Sequence, residues 1–576
     1  MEPAAAGAAR RGSSASTARV APTPAPALDE CELAQLPTQS CVKIWVVGAS
    51  PSYFVPWQVS EQSEWTGSGF AVMVRGRWQV LTNAHVVDDA LMVRVTRQNE
   101  SRKVRAHVAI VAHDVDLALL DVEDQAFIAS VPPVELAERL PSLFSEVKAI
   151  GYPEGGTTVC VTKGVVSRTD AQLYAHAEAK GILSWGFNCP GRLLIVQIDA
   201  AINAGSSGGL AVDRQGKVVG VASSGVDSAQ NIGYIIPACL VQNFLHEVIS
   251  TGRWGGVPES GFRYRLLESA PLREYLQVPM GRTGVQITSI APLGALAPFA
   301  KRGEVLMRVD GQDVSNEGTV LLKLTSGQEI QLPLEHLITS KRRGEQTRLS
   351  ILRRSGTEEE ISANFAPIPP LLPRFDGYDA QPSYFIVGGL VFTRLSTPLC
   401  QELMASEDAA SVAVPEAVLE KMKTWRVKEE EVVILVRVLS HNCNEGIESS
   451  SVRVLESING EVTKTLADMV RQVMTSVAAK ERFLRFGFLR HGRESGGDDM
   501  VEVLRSEDIL QSDREILAQH QIPAPVSGDL EHVYRQHAPK QNTFVSGWLN
   551  CLLSLSGYRS RKVRNGWDLE AEDVEE

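Results

Sequence analysis

What this chain lacks narrows its function before any motif is read. No apolar run among its 576 residues approaches the roughly 18 needed for a membrane-spanning helix; the most apolar short segment, Val432-Val433-Ile434-Leu435-Val436, is strand-sized. Its eight cysteines (31, 41, 160, 189, 239, 400, 443 and 551) include no C-x-x-C pair. That spacing argues against structural zinc and against a small disulfide scaffold, and favours free buried thiols. Eleven histidines supply no H-E-x-x-H, the helical pattern of zinc proteases. Basic residues are not in excess either: a formal charge of −12 opposes a general nucleic-acid binder. No metal, cofactor, nucleic acid or transmembrane segment is therefore expected.

What is present describes globular protein. Hydrophobic content of 44% and charged content of 22% are ordinary, and the length allows roughly three or four domains. Residues 1–38 form a leader. Its first 28 residues hold ten Ala, four Pro and three Arg with Glu2 as the only acid, too little apolar surface for a core. This composition is shared by organellar transit peptides and by plain disordered leaders.

Strand signals begin near Cys41-Val42-Lys43-Ile44-Trp45-Val46-Val47. Trp65 to Val74 and Trp78 to Thr82 flank Arg75-Gly76-Arg77, which reads as a hairpin. From there to Val221, short β-branched runs alternate with turns, the density of an all-β barrel or sandwich. Three segments inside this region carry chemistry. His85 closes Leu81-Thr82-Asn83-Ala84-His85. Asp116 enters the apolar run Leu117-Ala118-Leu119-Leu120, so its carboxylate needs a buried partner: a backbone amide, an arginine or the His85 imidazole. Asp114 and Asp121 are rivals in the same segment. Ser207 lies in Asn203-Ala204-Gly205-Ser206-Ser207-Gly208-Gly209, where glycines let backbone N–H groups turn inward.

Together with Gly67-Ser68-Gly69-Phe70, Gly151-Tyr152-Pro153, Gly164-Val165-Val166-Ser167 and Ile232-Gly233-Tyr234-Ile235-Ile236-Pro237, these segments resemble the trypsin-like HtrA/Deg (protease Do) serine proteases. Ser383 to Phe392 resembles the plant-type branch. The resemblance implies a mainly β protein: a trypsin-like double β-barrel over 39–252, then two PDZ-like α+β domains at 257–366 and 383–526. A Pro-rich linker, 367–382, joins the latter, and a tail follows from 527 to 576.

It also implies roles. Ser207 would be the nucleophile, His85 its general base and Asp116 the residue that orients His85. The backbone N–H groups of Gly205 and Ser207 would hold the oxyanion. The glycines following Ser207 favour it over Ser206. Ala204, Ser206 and Leu210 depart from the family's usual Pro, Asn and Pro without removing a reacting atom. Ala201 would floor a small apolar S1 pocket, and Val221, Ala222 and Ser223 would pair with substrate. The stretch between Val166 and Gln197, with Tyr174, His176, Trp185 and Cys189, sits where the family has activation loops. Ser260-Gly261-Phe262 would be the carboxylate-binding loop of the first PDZ domain, taking peptide C-termini. Val454 to Val462 echoes 305–314, Asn459-Gly460 standing for Asp310-Gly311.

The implied activity is ATP-independent endoproteolysis of unfolded or damaged protein, by a homo-oligomer built from trimers, with Tyr53, Phe54 and Trp57 as inter-subunit aromatics. The alternative is an inactive chaperone or peptide-binding scaffold. The leader suggests a chloroplast or mitochondrion, and the basic cluster Arg559, Arg561, Lys562 and Arg564 leaves a nuclear signal open.

Overall fold

A computed structural model describes residues 36–174, 191–225, 232–324, 326–369, 372, 381–405, 430–447, 452–489 and 500–539. The leader up to residue 35, His176, Trp185, Cys189, most of the Pro-rich linker and the tail beyond 539 lie outside the described residues.

Two closed six-stranded barrels come first, every strand pair antiparallel. The first comprises β1 (Cys41–Gly48), β2 (Ser63–Val74), β3 (Arg77–Thr82), β4 (Ala90–Arg97), β5 (Val104–Ala112) and β6 (Leu117–Val122), closed in the order β1-β2-β3-β6-β5-β4. The hairpin expected at Arg75-Gly76 is present: Val74 pairs with Arg77, and the two turn residues have φ of +50° and +79°. Positive φ at both central residues is the conformation whose twist matches the flanking strands. Val42, Ile44, Val80, Val93, Val95 and Leu120 fill the barrel. Burial of each contributes roughly 1.5–3 kcal/mol.

The second barrel comprises β7 (Glu146–Gly151), β8 (Cys160–Gln172), β9 (Leu193–Ile198), β10 (Leu210–Val212), β11 (Val218–Gly225) and β12 (Gly233–Pro237). It closes in the order β10-β11-β12-β9-β8-β7 around Val147, Val196, Ile198 and Ile235. Helix α1 (Ala238–Thr251) follows, its apolar residues spaced three to four apart, and buries Leu240, Val241, Phe244 and Val248. Gly252, at φ +81°, stops it in the left-handed conformation common after helices.

The next sheet runs β13 (Phe262–Arg265), β14 (Val285–Ile290), β15 (Val305–Val309), β19 (Gln346–Leu352) and β20 (Glu358–Asn364), with β16 (Gln312–Asp313) beside β15 and a separate hairpin of β17 (Thr319–Lys323) and β18 (Glu329–Pro333). The C-terminal sheet is β21 (Tyr384–Val387), β22 (Leu390–Arg394), β23 (Val433–Val438), β24 (Arg453–Ile458), β26 (Phe483–Phe488) and β27 (Met500–Arg505), with β25 (Glu461–Val462) beside β24. The echo noted in sequence has the same backbone in both sheets. Asp310 and Gly311 have φ of +48° and +78°, and Asn459 and Gly460 have φ of +52° and +85°. Helix α2 (Leu466–Ala478), started by Thr465 Oγ1 accepting from Asp468 N, packs its apolar face on the C-terminal sheet.

The boundary of the tail changes, and the aromatics before the first long hairpin have neighbours within the chain. The tail does not begin at 527: a helix over Glu531–His537 follows, and Leu530 and Tyr534 are buried in the core of the C-terminal sheet, Tyr534 edge-on to Phe385 with ring centroids 6.3 Å apart. Tyr53 is buried, and Phe54 and Trp57 half-buried, against residues of the C-terminal sheet of the same chain. Tyr53 packs with Leu395, Leu399, Val432 and Ile434, and Trp57 meets Tyr384 edge-on at 5.7 Å. The chain itself supplies cover for Tyr53 and part of the cover for Phe54 and Trp57.

Among the described residues, no helix is long and apolar enough to cross a membrane. The described cysteines, 41, 160, 239, 400 and 443, are free thiols. Burial pushes the Cys41 and Cys400 thiols up to about 12, so they are unreactive.

Candidate active site

The first barrel supplies the histidine and the aspartate. Strand β3 ends at Thr82, and His85 sits in the turn that follows, in which Val87 N donates to Ala84 O at 3.0 Å. Asp116 immediately precedes β6, where it ends a turn with φ +52°, a left-handed conformation that Asp adopts more readily than most residues. Strands β3 and β6 are neighbours, with Thr82 opposite Ala118, so the two side chains are brought together by barrel register rather than by sequence.

Asp116 is buried, and its carboxylate is provided with donors. His85 Nδ1 lies 2.9 Å from both Oδ1 and Oδ2, His85 N donates to Oδ1 at 3.1 Å, and Ser223 Oγ donates to Oδ2 at 2.8 Å. Asn83 Nδ2 ties down the Asp116 carbonyl at 2.9 Å. Burial pushes the His85 imidazole down, but attraction to Asp116, its hydrogen bond and the Asp88 charge push it up, and the net displacement is above the ordinary histidine value. With Nδ1–H donating to the carboxylate, the neutral ring carries its lone pair on Nε2. The rivals have other tasks. Asp114 accepts from Trp254 Nε1 at 2.7 Å and Val257 N at 2.8 Å, holding the segment after α1, while Asp121 pairs with Arg77 at 3.0 Å.

The second barrel supplies Ser207, between β9 and β10. Two consecutive tight turns shape this loop: Ser206 N donates to Asn203 O at 2.9 Å, and Gly209 N to Ser206 O at 3.0 Å. Each has glycine at its third position, Gly205 at φ +86° and Gly208 at φ +84°, which these turns require. A Cβ at Gly208 would lie 2.1 Å from Ser68 O. Among the described residues, neither the Gly205 N–H nor the Ser207 N–H has an acceptor within the protein. Two undirected donors beside a hydroxyl are what a developing oxyanion needs.

Ser207 Oγ donates to Ser223 O at 2.6 Å. Ser223 therefore bridges the pieces, its carbonyl on Ser207 and its hydroxyl on Asp116, in one chain of bonds from His85 through Asp116 and Ser223 to Ser207. The sequence had placed Ser223 only as a substrate contact. Its position in a β-branched run with small residues carries no signal for this second task.

The other expected residues fall as follows. Ala201 is exposed, and its carbonyl accepts from Thr162 Oγ1 at 2.8 Å. Val221 and Ala222 do not offer free backbone. Val221 pairs with Leu210 and Ile236, and Ala222 with Ile235, while Ala222 also exchanges bonds with Gly208 and Gly209. Both edges of the strand are thus occupied up to Ala222. From Ser224 onward β12 alone pairs with it among the described strands, so an incoming chain would add there. Phe262 is buried in the core of its sheet, Gly261 stands at φ +64°, and a Cβ on it would lie 2.6 Å from Ile368 Cδ1. Among the described residues, no group of three or more His, Cys, Asp or Glu is arranged to hold a metal.

Comparison with known proteins places this geometry among peptidases. Residues 67–221 match the trypsin-like peptidase domain, and residues 373–529 match the PDZ domain. Protease Do-like 2, chloroplastic, of Arabidopsis thaliana is 34% identical over 496 residues, which cover 86% of this chain and 75% of that protein. Protease Do-like 4, mitochondrial, of the same plant is 35% identical over 359 residues, covering 62% of this chain and 65% of that one. Among solved structures, the HtrA-type protease AlgW with decapeptide is 21% identical, with a TM-score of 0.41, covering 59% of this chain and 98% of that chain.

Proposed function

The chain belongs to the Do-like (HtrA/Deg) serine proteases and is a peptide-bond hydrolase, and from that premise we propose that it is an ATP-independent endopeptidase acting through Ser207, His85 and Asp116. The observation that carries this reading is the Ser223 bridge, which links the loop of Ser207 to the buried Asp116–His85 pair. In the resting arrangement the Ser207 hydroxyl is turned to the Ser223 carbonyl. The reaction requires it to turn from that carbonyl to His85 Nε2, by rotation about χ1 between staggered positions.

His85 then takes the proton as Ser207 Oγ attacks the scissile carbonyl, and returns it to the leaving amine. Asp116 holds the ring in the required tautomer and stabilises the imidazolium. The Gly205 and Ser207 N–H groups receive the oxyanion; one such donor is worth about 3 kcal/mol of transition-state stabilisation. Water repeats the sequence on the acyl-enzyme.

Because His85 must be neutral to act as base, kcat/KM should rise with pH as it loses its proton. Its carboxylate neighbour raises that midpoint above the ordinary histidine value. A pH–rate profile whose acid limb falls below the ordinary histidine value would oppose this assignment.

Ala201 is small and uncharged, which supports cleavage after small or medium apolar residues. Peptides differing only at P1 test this: Ala and Val should be preferred over Arg and Lys. Ala201→Asp should shift the Arg-to-Val ratio of kcat/KM by at least about tenfold, as a charge placed to meet a charge does. An unchanged ratio would remove Ala201 from the pocket.

The substrates are proposed to be unfolded or damaged proteins, and the compartment a chloroplast or mitochondrion. The sheet over 262–364 is proposed as a first PDZ domain; β13 lies at its edge, where an extended peptide end can add as a strand. A trimer-based homo-oligomer is proposed, in which the exposed parts of Phe54 and Trp57 can contribute to contact between subunits. Incubation of the purified full chain with an unfolded protein without ATP tests the whole reading: wild type should cleave it, and absence of cleavage across temperature and pH would favour a scaffold.

A further inference from the structure

We propose that Ser68 is a positioning residue that sets the direction of the Gly205 oxyanion donor from the opposite barrel. The inference rests on Ser207 being the nucleophile. Ser68 lies on β2 and is fully buried. All three of its polar groups are engaged. Its hydroxyl donates to Gly205 O at 2.8 Å and accepts from Tyr152 N at 2.8 Å. Its N–H donates to the carbonyl of Ser207 itself at 2.8 Å, and its carbonyl accepts from Thr82 Oγ1 at 2.7 Å.

A planar trans peptide points its N–H opposite to its carbonyl, so anchoring a carbonyl aims the N–H of the same unit. The unit before Gly205 is anchored by Glu154 N, which donates to Ala204 O at 2.7 Å. The unit after Gly205 is anchored at both ends, by the Ser68 hydroxyl on Gly205 O and by Ser206 N donating to Asn203 O at 2.9 Å. Between them stands a glycine at φ +86°, a residue with no Cβ to resist rotation. Its conformation, and hence where its free N–H points, depends on how those two planes are held. Removing the Ser68 hydroxyl takes away one of the two anchors of the second plane, loosening it, and leaves the buried Tyr152 N–H without its acceptor. The Ser207 hydroxyl, His85 and Asp116 keep their own bonds. The expected defect is therefore in transition-state stabilisation rather than in substrate binding.

The test compares wild type, Ser68→Ala and Val95→Ala in the full chain, on one peptide substrate. Val95 is fully buried in the core of the first barrel and serves as a matched loss of stability. Ser68→Ala should lower kcat by roughly 10- to 100-fold, less than the 10²–10³ that outright loss of an oxyanion donor costs. Its KM should stay within about twofold, and its rate of inactivation by a fluorophosphonate should fall with kcat, since the phosphonyl oxygen uses the same donors. Val95→Ala should lose melting temperature and keep kcat. Should Ser68→Ala not fold, Ser68→Cys, of similar shape with a weaker donor, should show a several-fold kcat loss at unchanged KM. Wild-type kcat in whichever Ser68 variant folds, a loss carried by KM, or an equal kcat loss in Val95→Ala would overturn the inference. An active wild type with inert Ser207→Ala and unaffected Ser68→Ala removes this inference alone, whereas inert wild type removes the proposed function with it.

Discussion

Replacing Ser207 with alanine should abolish proteolysis while leaving the fold in place. The hydroxyl makes one bond, to Ser223 O, on a half-buried loop whose shape comes from backbone turns and from Gly205 and Gly208. Removing it costs the fold little, since neither turn uses the side chain. It costs the reaction its nucleophile, and in an enzyme whose serine, histidine and aspartate act as a unit that loss is on the order of 10⁶ in kcat. Initial rates on an unfolded protein, with circular dichroism and melting temperature as controls, measure both halves. Ser206→Ala is the comparison. The Ser206 hydroxyl has no hydrogen bond among the described residues, so its loss should leave kcat within a few-fold. Equal cleavage by wild type and Ser207→Ala, or a collapse in Ser206→Ala instead, would move the nucleophile.

Asp116→Asn should lower kcat by about 10⁴ without a comparable change in KM. Asp116 accepts three kinds of bond at once, from the His85 backbone, the His85 ring and Ser223. A carboxylate accepts at both oxygens, whereas an amide accepts at one and donates at the other. Asparagine facing the ring would favour the tautomer protonated at Nε2, which removes the base from the side facing Ser207. The charge that raises His85 also disappears, so the residual activity should show its acid limb at lower pH than wild type. A loss under tenfold, or an unmoved pH midpoint, would show that Asp116 does not orient His85.

Much of the first part of this was legible in sequence because the chemistry is carried by short contiguous motifs. The loop around Ser207 has its glycines at the two turn positions that need positive φ, and the Arg75-Gly76 and Asp310-Gly311 turns are likewise written in residue type. Asp116 was ambiguous beside Asp114 and Asp121, because three carboxylates within eight residues differ only in which way the barrel register aims them. Asp114 went to Trp254 and Asp121 to Arg77, partners that no local pattern reveals. Ser223 and Ser68 were hidden for the same reason. Each works through contacts more than 100 residues away in sequence, 107 for Ser223 to Asp116 and 137 for Ser68 to Gly205. That the backbone of Val221 and Ala222 is already paired was likewise hidden, because strand propensity says nothing about whether an edge is occupied. The aromatic cluster at Tyr53, Phe54 and Trp57 announced a need for burial but not the surface that meets it.

The most direct measurement of the central claim is to treat the full chain with a fluorophosphonate and locate the adduct by peptide mass analysis. An activated serine is the group that reacts, so the label should fall on Ser207, form faster as pH rises through the His85 titration, and be absent from Ser207→Ala. A label on Ser206, or a folded wild-type protein that takes no label at any pH, would contradict the account.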